Sequence, residues 1–145
     1  MSRQPIRSVA GARDGATAVE FALVVGPLLL LIFGVIEFGR ALWTLNALQE
    51  TASAGARCMG VLNTSCAASG AYSASSATSY IEQVASGWGI GLTASNISLN
   101  NAATCAGVSG FSQTTITYTF NTPIPMITPL VGDPFKVTAC FPNQG

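Results

Sequence analysis

Histidine is absent from this 145-residue chain, and charge is scarce: charged residues make up 8%, divided equally between six basic and six acidic side chains. Without histidine there is no Ser-His-Asp or Cys-His constellation and no imidazole ligand for zinc. A net charge of zero removes the basic face that a nucleic-acid binder needs, so no nucleic-acid partner is expected. The four cysteines, Cys58, Cys66, Cys105 and Cys140, form no C-x-x-C pair, which argues against a zinc or thioredoxin-type site. The acids after the apolar region, chiefly Glu50, Glu82 and Asp133, are far apart in sequence, and nothing assembles a nucleophile with a base. The sequence therefore predicts neither an enzyme nor a cofactor or metal site.

What is abundant is apolar surface. Hydrophobic residues make up 49% and charged residues only 8%, whereas a soluble domain carries roughly 25% charged residues, so part of this chain must avoid water. Residues 16–36 read ATAVEFALVVGPLLLLIFGVI. At 1.5 Å per residue this stretch spans about the ~30 Å hydrocarbon core of a bilayer. Pro27 follows Gly26 within it, and in a membrane helix such a pair predicts a kink rather than a break. Arg3, Arg7 and Arg13 precede the run; Arg40 is the one basic residue close behind it. The positive-inside rule then puts the N-terminus in the cytoplasm and the chain beyond about residue 40 outside. An even cysteine count on the exported side reads as two disulfides. Glu20 is the single charge inside the run, and an ionisable residue at such a place is a functional candidate by default. At the outer end, Glu37 and Arg40 stand three residues apart, a spacing for a helix ion pair. With Trp43 they read as a membrane-interface anchor.

An ordinary secretory signal is cleaved after its apolar region, at a small-x-small site. Here Glu37-Phe38-Gly39-Arg40 follows the run, and the nearest small stretch, Ala52-Ser53-Ala54, is too distant. The small residues stand before the run instead, at Gly15-Ala16. The stretch Gly15-Ala16-Thr17-Ala18-Val19-Glu20-Phe21, behind a basic leader, resembles a type IV prepilin cleavage motif. The longer stretch GATAVEFALVVGPLLLLIFGVIEFGR, with its Ile36-Glu37-Phe38-Gly39-Arg40 ending, resembles the TadE-like pseudopilins of the tight-adherence (Flp) pilus system.

The resemblance implies that a prepilin peptidase removes residues 1–15 on the cytoplasmic face, leaving Ala16 as the N-terminus and Glu20 as the fifth mature residue. It also implies that Glu20, with Phe21 beside it, serves assembly and register, the Glu20 carboxylate answering the Ala16 ammonium of a neighbouring subunit. The physical case for the pair is separate: an ammonium and a carboxylate one helical turn apart relieve each other's burial cost. A head-to-tail contact of that kind builds an open filament rather than a closed dimer. The implied partners are the peptidase, other pilin or pseudopilin subunits, the inner-membrane assembly machinery and membrane lipid.

Three regions are expected: a cleaved leader (1–15), a pilin-type helix (16–57, spanning at about 16–36) and an exported α+β domain (58–145). Residues 38–57 contain no proline, and Leu42, Leu45, Leu48, Ala52 and Gly55 recur at helical spacing, so the helix should continue outward to near Arg57. Its Ala/Ser/Gly-rich end presents a thin face for close packing. Residues 60–76 read as a mobile Ala/Ser/Gly/Asn loop. A short amphipathic helix follows, with Ser75 or Ser76 as N-cap and Ala77, Ile81, Val84 and Trp88 on its apolar stripe, ended by Gly87, Gly89 and Gly91. Strands are expected around Ile97 and Leu99, over 114–120 with Ile116, Tyr118 and Phe120 on one face and threonines on the other, and over 135–141. Four prolines in residues 121–134 disfavour regular structure there. The fold class is α+β, a long N-terminal helix with a short helix and a three-stranded antiparallel sheet. Three disulfide connectivities are open; Cys58–Cys66 with Cys105–Cys140 is the expected pairing. Asn63-Thr64-Ser65 and Asn96-Ile97-Ser98 match the glycosylation pattern by chance.

Two functions compete. An uncleaved, signal-anchored surface protein, binding a partner through its exported domain, fits the composition but leaves Gly15 and Glu20 unexplained. A TadE-like or TadF-like minor pseudopilin, assisting assembly of tight-adherence pili for adhesion and biofilm, accounts for the leader, the cleavage motif, Glu20 and the continuous helix together. The major Flp-type pilin is little more than the helix, and a TadG-like protein is larger.

Overall fold

The structure, a computed structural model, describes residues 14–123 and 128–144; the leader arginines Arg3, Arg7 and Arg13 lie outside the described residues. Two compact units are present, Met1–Ile36 and Glu37–Gly145. Helix α1 runs over Asp14–Gly60, with Pro27 inside it and the helical assignment continuous across it. Up to Ile36 the large apolar side chains are exposed, from Val19 and Phe21 through Leu30 and Leu31 to Ile36. An 18-residue window within this helix reaches a mean hydropathy of 2.6, with none of it buried. A helix apolar on every side is stable only in an apolar surrounding, so this segment fits a single-pass membrane anchor.

From Glu37 onward the same helix becomes one-sided. Ala41, Leu48, Ala52, Ala56 and Met59 are buried, while Asn46, Gln49, Glu50, Ser53 and Arg57 are exposed. Leu42, expected on the inner stripe, is exposed, and Ala41 takes the buried place. The second unit continues with β1 (Ala67–Ala68), β2 (Ala71–Tyr72), α2 (Ala74–Gly87), a 3-10 turn (Ala94–Asn96), β3 (Ile97–Cys105), β4 (Val108–Tyr118), α3 (Thr128–Val131) and β5 (Phe135–Pro142). β3, β4 and β5 form one antiparallel sheet in that order. The fold is thus α+β with a long apolar N-terminal helix, a short second helix and a three-stranded antiparallel sheet.

Residues 60–76 carry structure that composition did not disclose. β1 and β2 pair as a small hairpin, turned by Ser69 and Gly70, both at positive φ. Ala106 and Gly107 turn the β3–β4 hairpin in the same way. Two-residue turns with both central residues at positive φ match the twist of the strands they join, and the second such position favours glycine. The second turn sets the start of β4 at Val108, earlier than the expected 114; the strand ends at Tyr118 rather than 120. α2 is capped by Ser73, whose hydroxyl accepts from the backbone N–H of Ser76, instead of by Ser75 or Ser76.

The main core joins Leu48 and Ala52 of α1, Ile81 and Ala85 of α2, Ile116 of β4, and Phe135 and Val137 of β5. Gly55 allows the closest approach: a Cβ there would stand 2.6 Å from Ile81 Cδ1 and 3.1 Å from Thr114 Oγ1. Gly60 does the same for Phe141, at 2.6 Å. The thin face at the helix end is therefore a packing surface for this chain's own α2 and sheet. Thr115 and Thr117 point outward as expected, and Thr115 hydrogen-bonds Thr138 on β5 at 3.1 Å. Thr114 has the parity of Ile116 and points inward, fully buried, with no hydrogen-bond partner for its hydroxyl among the described residues.

Both disulfides are present. Cys58–Cys66 closes the segment after α1 over a Cα separation of 5.9 Å. Cys105–Cys140 ties β3 to β5 over 6.5 Å, beside Gln113 of the central strand. β3 shifts register twice between Asn100 and Cys105; such bulges bend and twist a strand, which brings its end toward β5.

Candidate functional site

The residues singled out in the sequence fall into two groups. Gly15, Ala16, Glu20 and Phe21 lie in the first turns of α1, all exposed. Helical spacing puts Ala16 and Glu20 one turn apart on one face. Glu20 has no side-chain partner among the described residues, and a Cβ on Gly15 would meet nothing within 4 Å. Nothing inside the described chain demands glycine at position 15 or an acid at position 20.

The second group is assembled by the tertiary structure. Arg40 Nη1 donates to Glu37 Oε1 at 2.6 Å, the ion pair that the helical spacing predicts. Glu37 is nevertheless buried, because the Thr122 hydroxyl, 85 residues away in sequence, donates to its second oxygen at 3.1 Å. Arg40 also lies over the Phe120 ring, 5.6 Å from its centroid. Phe120 in turn stacks on Phe135, with centroids 5.7 Å apart, and its backbone N–H donates to Asp133 Oδ1 at 2.8 Å. The hydrogen bond of Glu37 to Thr122 and the contact of Arg40 with Phe120 thus fasten the chain after β4 to α1 beyond Ile36. A carboxylate near a membrane boundary is costly when bare; here one oxygen faces a guanidinium and the other a hydroxyl.

Trp43, the third interface residue, meets Trp88 edge to face at a centroid distance of 5.7 Å. Trp88 was expected on the buried stripe of α2. It follows Gly87, the last helical residue, and is exposed, while Ala85 fills the buried place instead. Trp88, Thr122 and Phe120 escape sequence reasoning because their roles depend on long-range contacts. Only the aromatic character of Trp88 beside three glycines was a local signal. Elsewhere, burial of the Tyr72 ring raises its phenol above the ordinary tyrosine range. Among the described residues, no cluster of acids and cysteines is placed to hold a metal ion.

The comparisons with known proteins agree with the first group's position. A family model described as TadE-like protein matches residues 15–57, from Gly15 to Arg57 near the end of α1. No curated protein and no solved structure matches the chain. Residues 58–145 lie outside the family match. Over residues 15–57 the chain is similar to the TadE-like family, a likeness that suggests a membrane protein associated with tight-adherence pili.

Proposed function

We propose that this chain is a minor pseudopilin, anchored in the bacterial inner membrane with its N-terminus cytoplasmic and its exported unit periplasmic, that a prepilin peptidase matures by cutting between Gly15 and Ala16. In this reading the mature subunit assists assembly of tight-adherence pili together with other pilin-type subunits. The observation that carries it is Glu20, an acid near the start of an exposed apolar helix, one turn from the amino group that the cut would create. An isolated acid in such a run is unfavourable, and a neighbouring subunit's ammonium offsets that cost. The family match beginning at Gly15 supports the same reading, as do two disulfides in the exported unit, which belong in an oxidising compartment.

The test is the N-terminus and intact mass of the membrane-extracted protein, with and without a co-expressed prepilin peptidase. The expected result is Ala16 as the N-terminus only when the peptidase is present. A leader retained in both samples would overturn the reading in favour of an uncleaved anchored protein. A bulky residue at Gly15 should block maturation. Glu20→Ala should leave insertion and cleavage intact and reduce piliation; normal piliation in that variant would remove the register role.

A further inference from the structure

The exported unit carries an aromatic and basic patch that the assembly reading leaves unused. Trp43 on α1 and Trp88 just after α2 are 60% and 42% exposed, although their rings touch. They border an open groove of about 430 Å³, whose lining also includes Arg40, Thr44, Gly89 and Tyr118. Arg40 supplies the single charge in that lining. Its side chain remains 54% exposed while it bonds the covered Glu37, so the guanidinium is paired on one side and open to the groove on the other.

We infer that this patch rests on the outer headgroup layer of the membrane, with Trp88 and the glycine-rich turn after α2 joining Trp43 in a two-element interfacial anchor. The inference relies on the reading of α1 as a membrane span. Four observations favour lipid as the occupant. Tryptophan combines a large apolar ring with one N–H donor and concentrates at the membrane–water boundary. An exposed guanidinium beside it suits a phosphate oxygen. No carboxylate lines the groove to repel a phosphate, and the guanidinium of Arg40 keeps donors free beside its bond to Glu37. The place along the chain is also suitable: Trp43 follows the end of the apolar run at Ile36 by seven residues. With Trp88 in the same layer, the exported unit meets the membrane through two separate chain elements.

The chain contains two tryptophans, so each can be isolated. Full-length Trp43→Phe, which leaves Trp88 as the only indole, and Trp88→Phe, which leaves Trp43, are reconstituted into phosphatidylcholine–phosphatidylglycerol vesicles. The acyl chains are brominated either near the headgroup or near the methyl end. Trp88 emission should be lost with the shallow bromines and largely kept with the deep ones, and Trp43 should behave alike. Quenching of Trp43 with Trp88 left bright and open to aqueous iodide would overturn the inference while sparing the membrane span. Trp88 shielded from both bromine and iodide would overturn it in favour of a second copy covering the patch. If neither tryptophan is quenched and the protein also washes off the vesicles with alkali, the membrane reading itself fails.

Discussion

The two halves of α1 are built on opposite rules. Up to Ile36 its large side chains are exposed and its glycines, Gly15, Gly26 and Gly34, have open space where a Cβ would stand. After Glu37 the helix buries one stripe, and Gly55 and Gly60 are pressed against Ile81 and Phe141. Residue choice in the first half answers to surroundings outside the fold, whereas in the second half it answers to this chain's own core. A single helix thereby serves as both anchor and central scaffold, and a substitution in it has different consequences on either side of residue 37.

That contrast can be broken most strongly at the disulfides, which occur only in the exported unit among the described residues. Replacing Cys105 and Cys140 together by serine should lower the stability of that unit by about 4 kcal/mol, and replacing Cys58 and Cys66 by about 2.5 kcal/mol, because the first pair closes the longer loop. Urea unfolding of the detergent-solubilised protein measures both; equal losses would contradict the loop-length argument.

A matched glycine pair probes the contrast directly. Gly55→Leu forces a side chain onto Ile81 and should cost about 1–3 kcal/mol, while Gly34→Leu should leave unfolding of the exported unit unchanged. A comparable loss at Gly34 would mean that the apolar half supports the exported core.

The smallest expected effect has the opposite sign. Thr114→Val removes a fully buried hydroxyl that lacks a hydrogen-bond partner among the described residues, and should stabilise the unit by about 1 kcal/mol. A loss of stability on the same unfolding curve would show that the hydroxyl is satisfied in solution.

Much of the fold is legible along the chain because its signals are local. The apolar run, the helical spacing from Leu45 to Gly55, and the alternation around Ile116 and Val137 each specify an element within a few residues. The misreadings arose where neighbours in space overrode neighbours in sequence. Trp88 satisfies the helical period of Ala77 and Ile81, yet α2 stops at Gly87 and the ring turns outward to Trp43. Thr114 is polar in type but inward by register, since a strand's faces follow parity rather than polarity. Ser69-Gly70 and Ala106-Gly107 are weak turn signals by composition and became decisive only once strands paired across them.

By itself, the sequence determined that this protein carries an apolar helix of membrane-spanning length, a lone acid near its start, a glycine–alanine junction ahead of it, and a C-terminal part with an even set of cysteines. Those properties depend on residue type and spacing along one helix, which are one-dimensional. Tertiary structure alone decided that Glu37 is covered by Thr122, that Arg40 lies over Phe120 and that Trp88 meets Trp43. These contacts join residues 45 to 85 positions apart, and only burial of the shared core brings such distant segments within reach of one another.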